Sequence, residues 1–148
     1  MVALFLRLKR SMGSKAALSL FYGETDFVIL DDPPIVMRVG ERHDGLRLLL
    51  QSFAVETAVF LSGVDPTNTY SLEDESIDRQ MQLLSLVEAD RLNYFIAMAE
   101  HLASGWTQQS YFVLGVDKSQ AADWAATFQQ RAYIWIPPSG IPELILKD

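Results

Sequence analysis

The apolar residues of this chain follow two kinds of spacing. Short apolar runs bounded by Gly, Pro or Asp are typical of β-strands, whereas apolar residues at i, i+3, i+4 and i+7 are typical of amphipathic helices. The run TAVFLS at 57–62 predicts a strand that is covered on both faces of a sheet. Further strands are predicted at 25–30, 35–39, 110–116, 132–136 and 141–146.

Stretches with helical spacing separate several of these runs. Residues 44–53 predict an amphipathic helix with Asp44 as its N-cap. Residues 119–130 predict another helix, and the segment AALSLFY ends an earlier one. The apolar face of the 44–53 helix comprises Leu46, Leu49, Leu50 and Phe53.

The segment after TAVFLS predicts a turn followed by a further helix. Asp65 and Pro66 break the strand, and Ser71 followed by Asp74 has the Ser-x-x-Asp form of an N-terminal capping signature. Carboxylates in the first turn favour the positive end of a helix. The helix is predicted to run through Ile77, Met81, Leu84 and Val87.

Two endings are open for this helix. Apolar residues continue without Gly or Pro until Gly105, which is compatible with a longer helix. The stretch LNYFIAM at 92–98 also has the aromatic and β-branched content of a buried strand. Periodicity does not decide between the two.

The alternation of strands and helices predicts a single α/β (α+β) domain. We expect one mixed sheet of about six or seven strands, with three or four helices packed on it and a C-terminal β-hairpin. Pro142 lacks a donor and predicts an edge position for the last strand. Residues 1–20 are predicted as an amphipathic helix or extension, and residues 21–148 as the domain.

Composition narrows the possible functions. The chain has no cysteine, which excludes disulfides, zinc–thiolate sites and thiol catalysis. The net charge of −7 disfavours nucleic acid as a partner. No stretch reaches the ~20 apolar residues of a membrane span, so no membrane partner is predicted and a cytoplasmic location is expected.

The motifs of the large cofactor-dependent enzyme classes are missing. There is no phosphate-binding glycine loop and no paired-histidine zinc motif, so no cofactor is predicted. Carboxylates near Asp65 and Glu75 match no calcium-loop spacing, and helix-start energetics explain them without a metal. His43 and His101 are interpreted as solvated surface groups.

The segment GWTQQSYF is the most suggestive of ligand binding. Trp106 offers a flat apolar face, and the amides of Gln108 and Gln109 offer hydrogen bonds, at a place that can converge with the Asp65 turn. The alternative is that Trp106 closes the end of the core. Gln130 lies at a predicted helix-to-strand corner.

Motifs in a fixed order connect these features to a known family. The motifs are FYGETDFVI, IVMRVG, AVFLSGVDP, SLEDESIDR, GWTQQSYFVLGV and FQQRAYIW. Together they resemble a bacterial family known as domain of unknown function 3293, over roughly residues 20–146. The resemblance implies a compact α/β domain with a strand at 92–98 after a shorter helix, and it implies no established activity.

The chain departs from that family at polar positions. The family's turn after the third core strand reads Thr-Ala-Trp-Asn-Pro, whereas this chain has SGVDP at 62–66. Gln108 and Gln109 replace acidic residues of the family pattern. The polar or aromatic positions that match it are Glu75, Arg79, Trp106 and Gln130.

Two hypotheses for function remain. The first is a non-catalytic module that holds a small polar ligand or a protein partner on the rim formed by 62–71 and 101–110. Its candidate residues are Asp65, Glu75, Arg79, Trp106, Gln108 and Gln130. The second is a small enzyme acting on a polar metabolite or nucleotide, with Glu75 as acid or base, Arg79 orienting an anion and Trp106 stacking. An i, i+4 ion pair between Glu75 and Arg79 is the purely structural explanation.

Overall fold

The computed structural model describes residues 14–64 and 73–147, which form four helices and seven strands. The helices are α1 (Lys15–Gly23), α2 (Asp44–Ser52), α3 (Glu73–Ala89) and α4 (Lys118–Thr127). The strands are β1 (Asp26–Ile29), β2 (Ile35–Met37), β3 (Ala58–Leu61), β4 (Tyr94–His101), β5 (Trp106–Leu114), β6 (Ala132–Ile136) and β7 (Glu143–Leu146). The predicted α+β class is confirmed.

All seven strands belong to one sheet with the order β2-β1-β4-β5-β3-β6-β7. The sequence predicted a mixed sheet, and every described strand pair is antiparallel. Part of the reason is that β1–β2, β4–β5 and β6–β7 are consecutive neighbours, and such connections reverse the chain. β3 lies inside the sheet between β5 and β6, which confirms the strand predicted from its apolar run.

The sheet curls so that its two edges approach each other. Gly40, just after the edge strand β2, donates its N–H to the Pro142 carbonyl at 2.8 Å, just before the opposite edge strand β7. This closure brings the beginning of α2 close to the β6–β7 turn, where a side chain at Gly140 would touch Arg47.

The two faces of the sheet carry separate apolar clusters. On the first face, Phe60 of β3 packs with residues of α1 and α2. On the second face, Val59 and Leu61 of the same strand pack with residues of α3 and α4. Successive side chains of a strand point to opposite faces. β3 therefore contributes to both clusters, and a helix pair covers each side of it.

The N-cap of α2 is His43, so the prediction of Asp44 as the cap is wrong. The imidazole Nδ1 accepts a hydrogen bond from the Leu46 N–H at 3.2 Å, as a carboxylate oxygen would. Asp44 is the first helical residue. His43 is half-buried in this capping position, and its interpretation as a solvated group is also wrong.

Helix α3 ends at Ala89, and β4 follows from Tyr94, as the family resemblance implied. The helix runs through Ile77 and Met81 as predicted, and these two side chains are 49% and 61% exposed. The face that meets the sheet contains Leu83 and Val87, which are buried. The rotation of the helix is set by hydrogen bonds at its N-terminal half, described below, and not by apolar spacing alone.

Several predictions lie outside the described residues. They concern the helix or extension at 1–13, the Asp65 turn and the capping Ser71. The division of the chain at residue 20 stays a prediction. Helix α1 crosses that position, and its Leu18 and Phe21 are both buried in the first-face cluster.

Two leucines of α2 provide a test of this packing. Leu46 is 0% exposed and Leu48 is 65% exposed on the same helix. We expect Leu46→Ala to lower the free energy of unfolding by about 2–5 kcal/mol, because it leaves a cavity between helix and sheet. Leu48→Ala is the matched control and should stay within about 0.5 kcal/mol. Urea unfolding of both variants measures the difference, and equal losses would contradict the orientation of α2.

Candidate functional site

The turn at 62–64, which follows β3, is bonded through its backbone to side chains of α3. The Gly63 N–H donates to Gln80 Oε1 at 2.9 Å, and the Gly63 carbonyl accepts from Arg79 Nε at 2.9 Å. A Cβ at Gly63 would lie 2.5 Å from the Arg79 carbonyl oxygen. Only glycine therefore permits the helix backbone to come this close to the turn.

The same turn is also tied to β5. The Gln80 amide nitrogen donates to Ser62 Oγ and to the Gln109 carbonyl, both at 2.8 Å. The Val64 N–H donates to Ser62 Oγ at 3.1 Å, and the Val64 carbonyl accepts from Gln108 Nε2 at 2.7 Å. Side chains from two elements thus fix a turn that has no regular ladder partner of its own.

Arg79 extends this network to α4. Its second terminal nitrogen donates to the Phe128 carbonyl at 2.9 Å, just beyond the end of that helix. The guanidinium carbon lies 6.0 Å from the centre of the Phe128 ring. Arg79 therefore joins the turn, α3 and α4 on the second face of the sheet.

This placement separates Arg79 from Trp106. Trp106 packs against the first-face cluster, whereas Arg79 contacts Phe128 of the second-face cluster. Glu75 is exposed on α3. The structure does not bring Glu75, Arg79 and Trp106 together around one cavity, and the seven-stranded sheet lies between their two faces.

A cleft on the first face does bring three of the candidate residues together. The cleft has a volume of about 310 Å³ when the part open to solvent is counted. The space in which the centre of a water molecule fits is about 20 Å³. The side chains at its wall that carry a polar group are Tyr22, Ser62, Trp106, Gln108, Ser110, Gln130 and Tyr133. Trp106, Gln108 and Gln130 line the same cleft, whereas Asp65 is outside the described residues, and a binding role for these residues stays a prediction.

Trp106 is half-buried and has two roles in the packing. Its ring stands at 62° to Phe21 with centroids 5.2 Å apart, and at 82° to Tyr22 with centroids 6.5 Å apart. Such edge-to-face contacts orient an indole firmly. Trp106 closes one end of the core, as the structural alternative predicted, and it also forms a wall of the cleft.

Gln130 reaches the cleft because of the way in which α4 ends. Gln129 has a left-handed backbone with φ of 56°, and the Gln130 N–H donates to the Ala125 carbonyl at 2.7 Å, as in a Schellman motif. The side chain is then turned inward and is 3% exposed. Its Nε2 is 3.4 Å from the Phe128 carbonyl, and its carboxamide oxygen accepts no hydrogen bond from the described residues.

The wall of the cleft is electrically neutral. Among the described residues that line it, none is Asp, Glu, Lys, Arg or His. Burial raises the pKa of the Tyr133 phenol, which keeps this lining group uncharged near neutral pH. A charged ligand would lose its hydration here without gaining a counter-ion, which is costly.

Sequence reasoning missed several polar residues of this region. Ser62, Ser110 and Gln80 were not singled out, because small polar residues inside strands and an amide on a helix carry no distinctive pattern. His101 was interpreted as a surface group and is instead 4% exposed. Its imidazole stacks on Phe21 with centroids 4.2 Å apart and bonds Ser104 Oγ at 2.8 Å. Its position opposite Trp106 at the end of the β4–β5 hairpin explains this burial.

Within the described part of the chain, no three His, Asp or Glu side chains are grouped so that they could hold a metal ion. No helix in the same residues has the length and apolar character required to cross a bilayer.

Comparison with known proteins gives a family match and no individual relative. The model of a family described as "Protein of unknown function (DUF3293)" matches residues 61–133. No curated protein and no solved structure matches the chain. The matched region contains the 62–64 turn, α3, α4 and Gln130, whereas α1, α2 and β7 lie outside it.

The close approach at Gly63 provides a second prediction. We expect Gly63→Ala to lower the free energy of unfolding by about 1–3 kcal/mol, because the new Cβ overlaps the backbone of α3. Gly23→Ala is the matched control, since a Cβ there meets no atom within 4 Å. It should change stability by less than about 1 kcal/mol.

Urea unfolding compares the two glycine variants. An equal effect at both positions would show that α3 does not lie against the turn as described.

Proposed function

The chain belongs to the DUF3293 family of proteins of unknown function, and we propose that it binds a small, neutral, planar ligand in the cleft beside Trp106. The binding is non-catalytic in this proposal. Location in the cytoplasm stays a prediction.

The observation that carries the proposal is the Gln130 carboxamide. It is almost fully buried at the wall of the cleft, and its oxygen accepts no hydrogen bond from the described residues. Although the residue is buried, this oxygen atom is open to the cleft, where a water molecule or a ligand can donate a hydrogen bond to it. A ligand N–H group would satisfy this oxygen.

The other polar groups of the cleft refine the chemistry of the ligand. The Gln108 amide nitrogen is occupied by the Val64 carbonyl, which leaves the Gln108 carboxamide oxygen as a second acceptor. Ser62 Oγ accepts two hydrogen bonds, and its own O–H has no acceptor among the described residues. A primary carboxamide, or the amide-like edge of a nucleobase, offers the matching N–H and C=O groups.

Size and charge support the same class of ligand. A water-sized space of about 20 Å³ holds one small functional group, such as a carboxamide, and the ring of the ligand would lie at the open mouth of the cleft. Trp106 offers an aromatic wall for that ring. The neutral lining disfavours phosphates, carboxylates and ammonium groups.

The geometry favours binding over catalysis. Proton transfer needs a positioned group whose pKa lies near the operating pH. The described residues of the cleft contain only tyrosine as an ionisable type, and Arg79 is bonded to two backbone carbonyls on the other face. The alternative with Glu75 and Arg79 as catalytic groups gains no support from this arrangement.

The proposal predicts a preference for neutral over anionic forms of one ring. We expect nicotinamide to bind saturably, observed by two-dimensional NMR of the full-length protein, with shifts concentrated at Trp106 and Gln130. Nicotinate, which has the same ring with a carboxylate, should bind at least about tenfold more weakly, because its charge has no partner in the cleft.

Variants connect this binding to the cleft. Trp106→Ala should weaken nicotinamide binding by about tenfold, since it removes the aromatic wall. Leu102→Ala, in the exposed tip of the same hairpin, is the control and should leave binding unchanged. Equal binding of amide and acid, no binding of either, or binding that ignores Trp106→Ala would overturn the proposal.

A further inference from the structure

The strand β7 has one edge without a partner strand among the described residues. Within them it pairs with β6 alone and ends the sheet. The Lys147 N–H donates to the Arg131 carbonyl at 2.9 Å, so Lys147 and Arg131 form a hydrogen-bonded pair of the β6–β7 ladder. Such pairs alternate along antiparallel strands, and residues 143, 145 and 147 therefore direct their backbone groups toward β6. Leu144 and Leu146 direct theirs away from the sheet, and within the described residues these groups have no hydrogen-bond partner.

We propose that this edge pairs antiparallel with β7 of a second copy of the chain, about a two-fold axis at Ile145. In this register Leu144 of one copy faces Leu146 of the other, and their outward N–H and C=O groups form the hydrogen-bonded pairs. Ile145 faces Ile145 of the second copy in a non-hydrogen-bonded pair, where side chains approach most closely. Every cross-strand apolar pair is then an aliphatic one.

The charges at the ends of β7 favour this register. Glu143 and Lys147 are both exposed and lie on the same face of the strand as Ile145. Four residues separate them by roughly 13 Å within one chain, too far for a direct ion pair. In the two-fold pairing each Glu143 stands opposite Lys147 of the other copy, and the dimer gains two such pairs.

The pairing would also cover part of an apolar groove beside β7. The groove lies on the second face and has a volume of about 460 Å³ when its open side is counted. The space in which the centre of a water molecule fits is about 220 Å³. Its apolar walls are formed by Ala122, Ala125, Ala126, Tyr133 and Ile145. Ile145 of the second copy would lie next to this groove and remove part of its apolar surface from water.

The extent of the free edge also agrees with a short, symmetric contact. The Pro142 carbonyl is already used by the Gly40 N–H, so the available edge begins after Pro142. The opposite edge strand β2 has only three residues and follows Pro33 and Pro34, which are typical protective features of an edge. β7 has no proline between Glu143 and Leu146.

A single introduced thiol tests the axis directly. The chain has no cysteine, so Ile145→Cys carries one thiol per copy. Non-hydrogen-bonded antiparallel neighbours have Cα atoms about 4.5 Å apart, within the range that a disulfide spans. Oxidation should yield a covalent dimer of twice 16.7 kDa. Val36→Cys, on the exposed face of the β2 edge strand, is the matched control and should remain a monomer under reducing-agent-free gel electrophoresis.

Charge reversal tests the register independently. By sedimentation equilibrium of the full chain, Glu143→Lys and Lys147→Glu should each raise the dimer Kd by about tenfold or more, because both cross-strand pairs become repulsive. The double variant should return to within about threefold of the original Kd. Glu56→Lys makes the same charge change at an exposed loop residue and should have no effect.

Each outcome of the cross-linking and sedimentation experiments either supports the proposed dimer or contradicts it. Selective cross-linking at residue 145 together with rescue in the double variant supports the proposal. Cross-linking no better than that of Val36→Cys, or a double variant as weak as the single ones, overturns it. If circular dichroism shows that a charge variant is unfolded, the cysteine pair decides alone. A mass of one chain at all concentrations, without cross-linking at 145, also overturns it.

Discussion

The contact between α3 and the turn after β3 is the constraint on which the second half of the structure depends. At this place a helix backbone touches a glycine without an intervening side chain, and two consecutive helix residues, Arg79 and Gln80, bond the turn from that position. Because Arg79 also bonds the end of α4, one guanidinium fixes the relative placement of two helices and a strand end. The polar character of this region is therefore largely explained by the backbone groups that it satisfies.

At the cleft, the hydrogen-bond network uses some polar atoms and leaves others without a partner among the described residues. Gln108 and Gln130 each have a neighbouring backbone carbonyl for the amide nitrogen, and both keep an oxygen that the described residues do not use. An amide held in this way is oriented by the fold before any ligand arrives. Preorganised groups of this kind lose little conformational freedom on binding, which favours recognition of small molecules.

Much of the sheet was predictable from the sequence because burial leaves a direct mark on the apolar pattern. TAVFLS predicted the interior strand β3, and the apolar face of 44–53 predicted α2, with Leu46, Leu49 and Leu50 buried. The orientation of α3 was not predictable, because Gln80 occupies the face that apolar spacing would give to Ile77 or Met81. An amide that bonds a distant turn cannot be recognised from its neighbours in the chain.

The candidate site was predictable only in part, for a reason of geometry. Trp106 and Gln108 share a face of the sheet because they are alternate residues of β5. Gln130, at the corner before β6, lines the same cleft. Arg79 was grouped with them because it matches the family pattern and its guanidinium is capable of orienting an anion, and the sheet separates it from Trp106. Chemical type suggests which residues are capable of recognition, whereas strand parity and helix rotation decide which of them share a space.

Gln130 has one more consequence. Its side chain, together with Tyr133, borders the cleft on one side and the groove beside β7 on the other. The two cavities therefore share a wall, so a substitution at either of these two residues alters the lining of both.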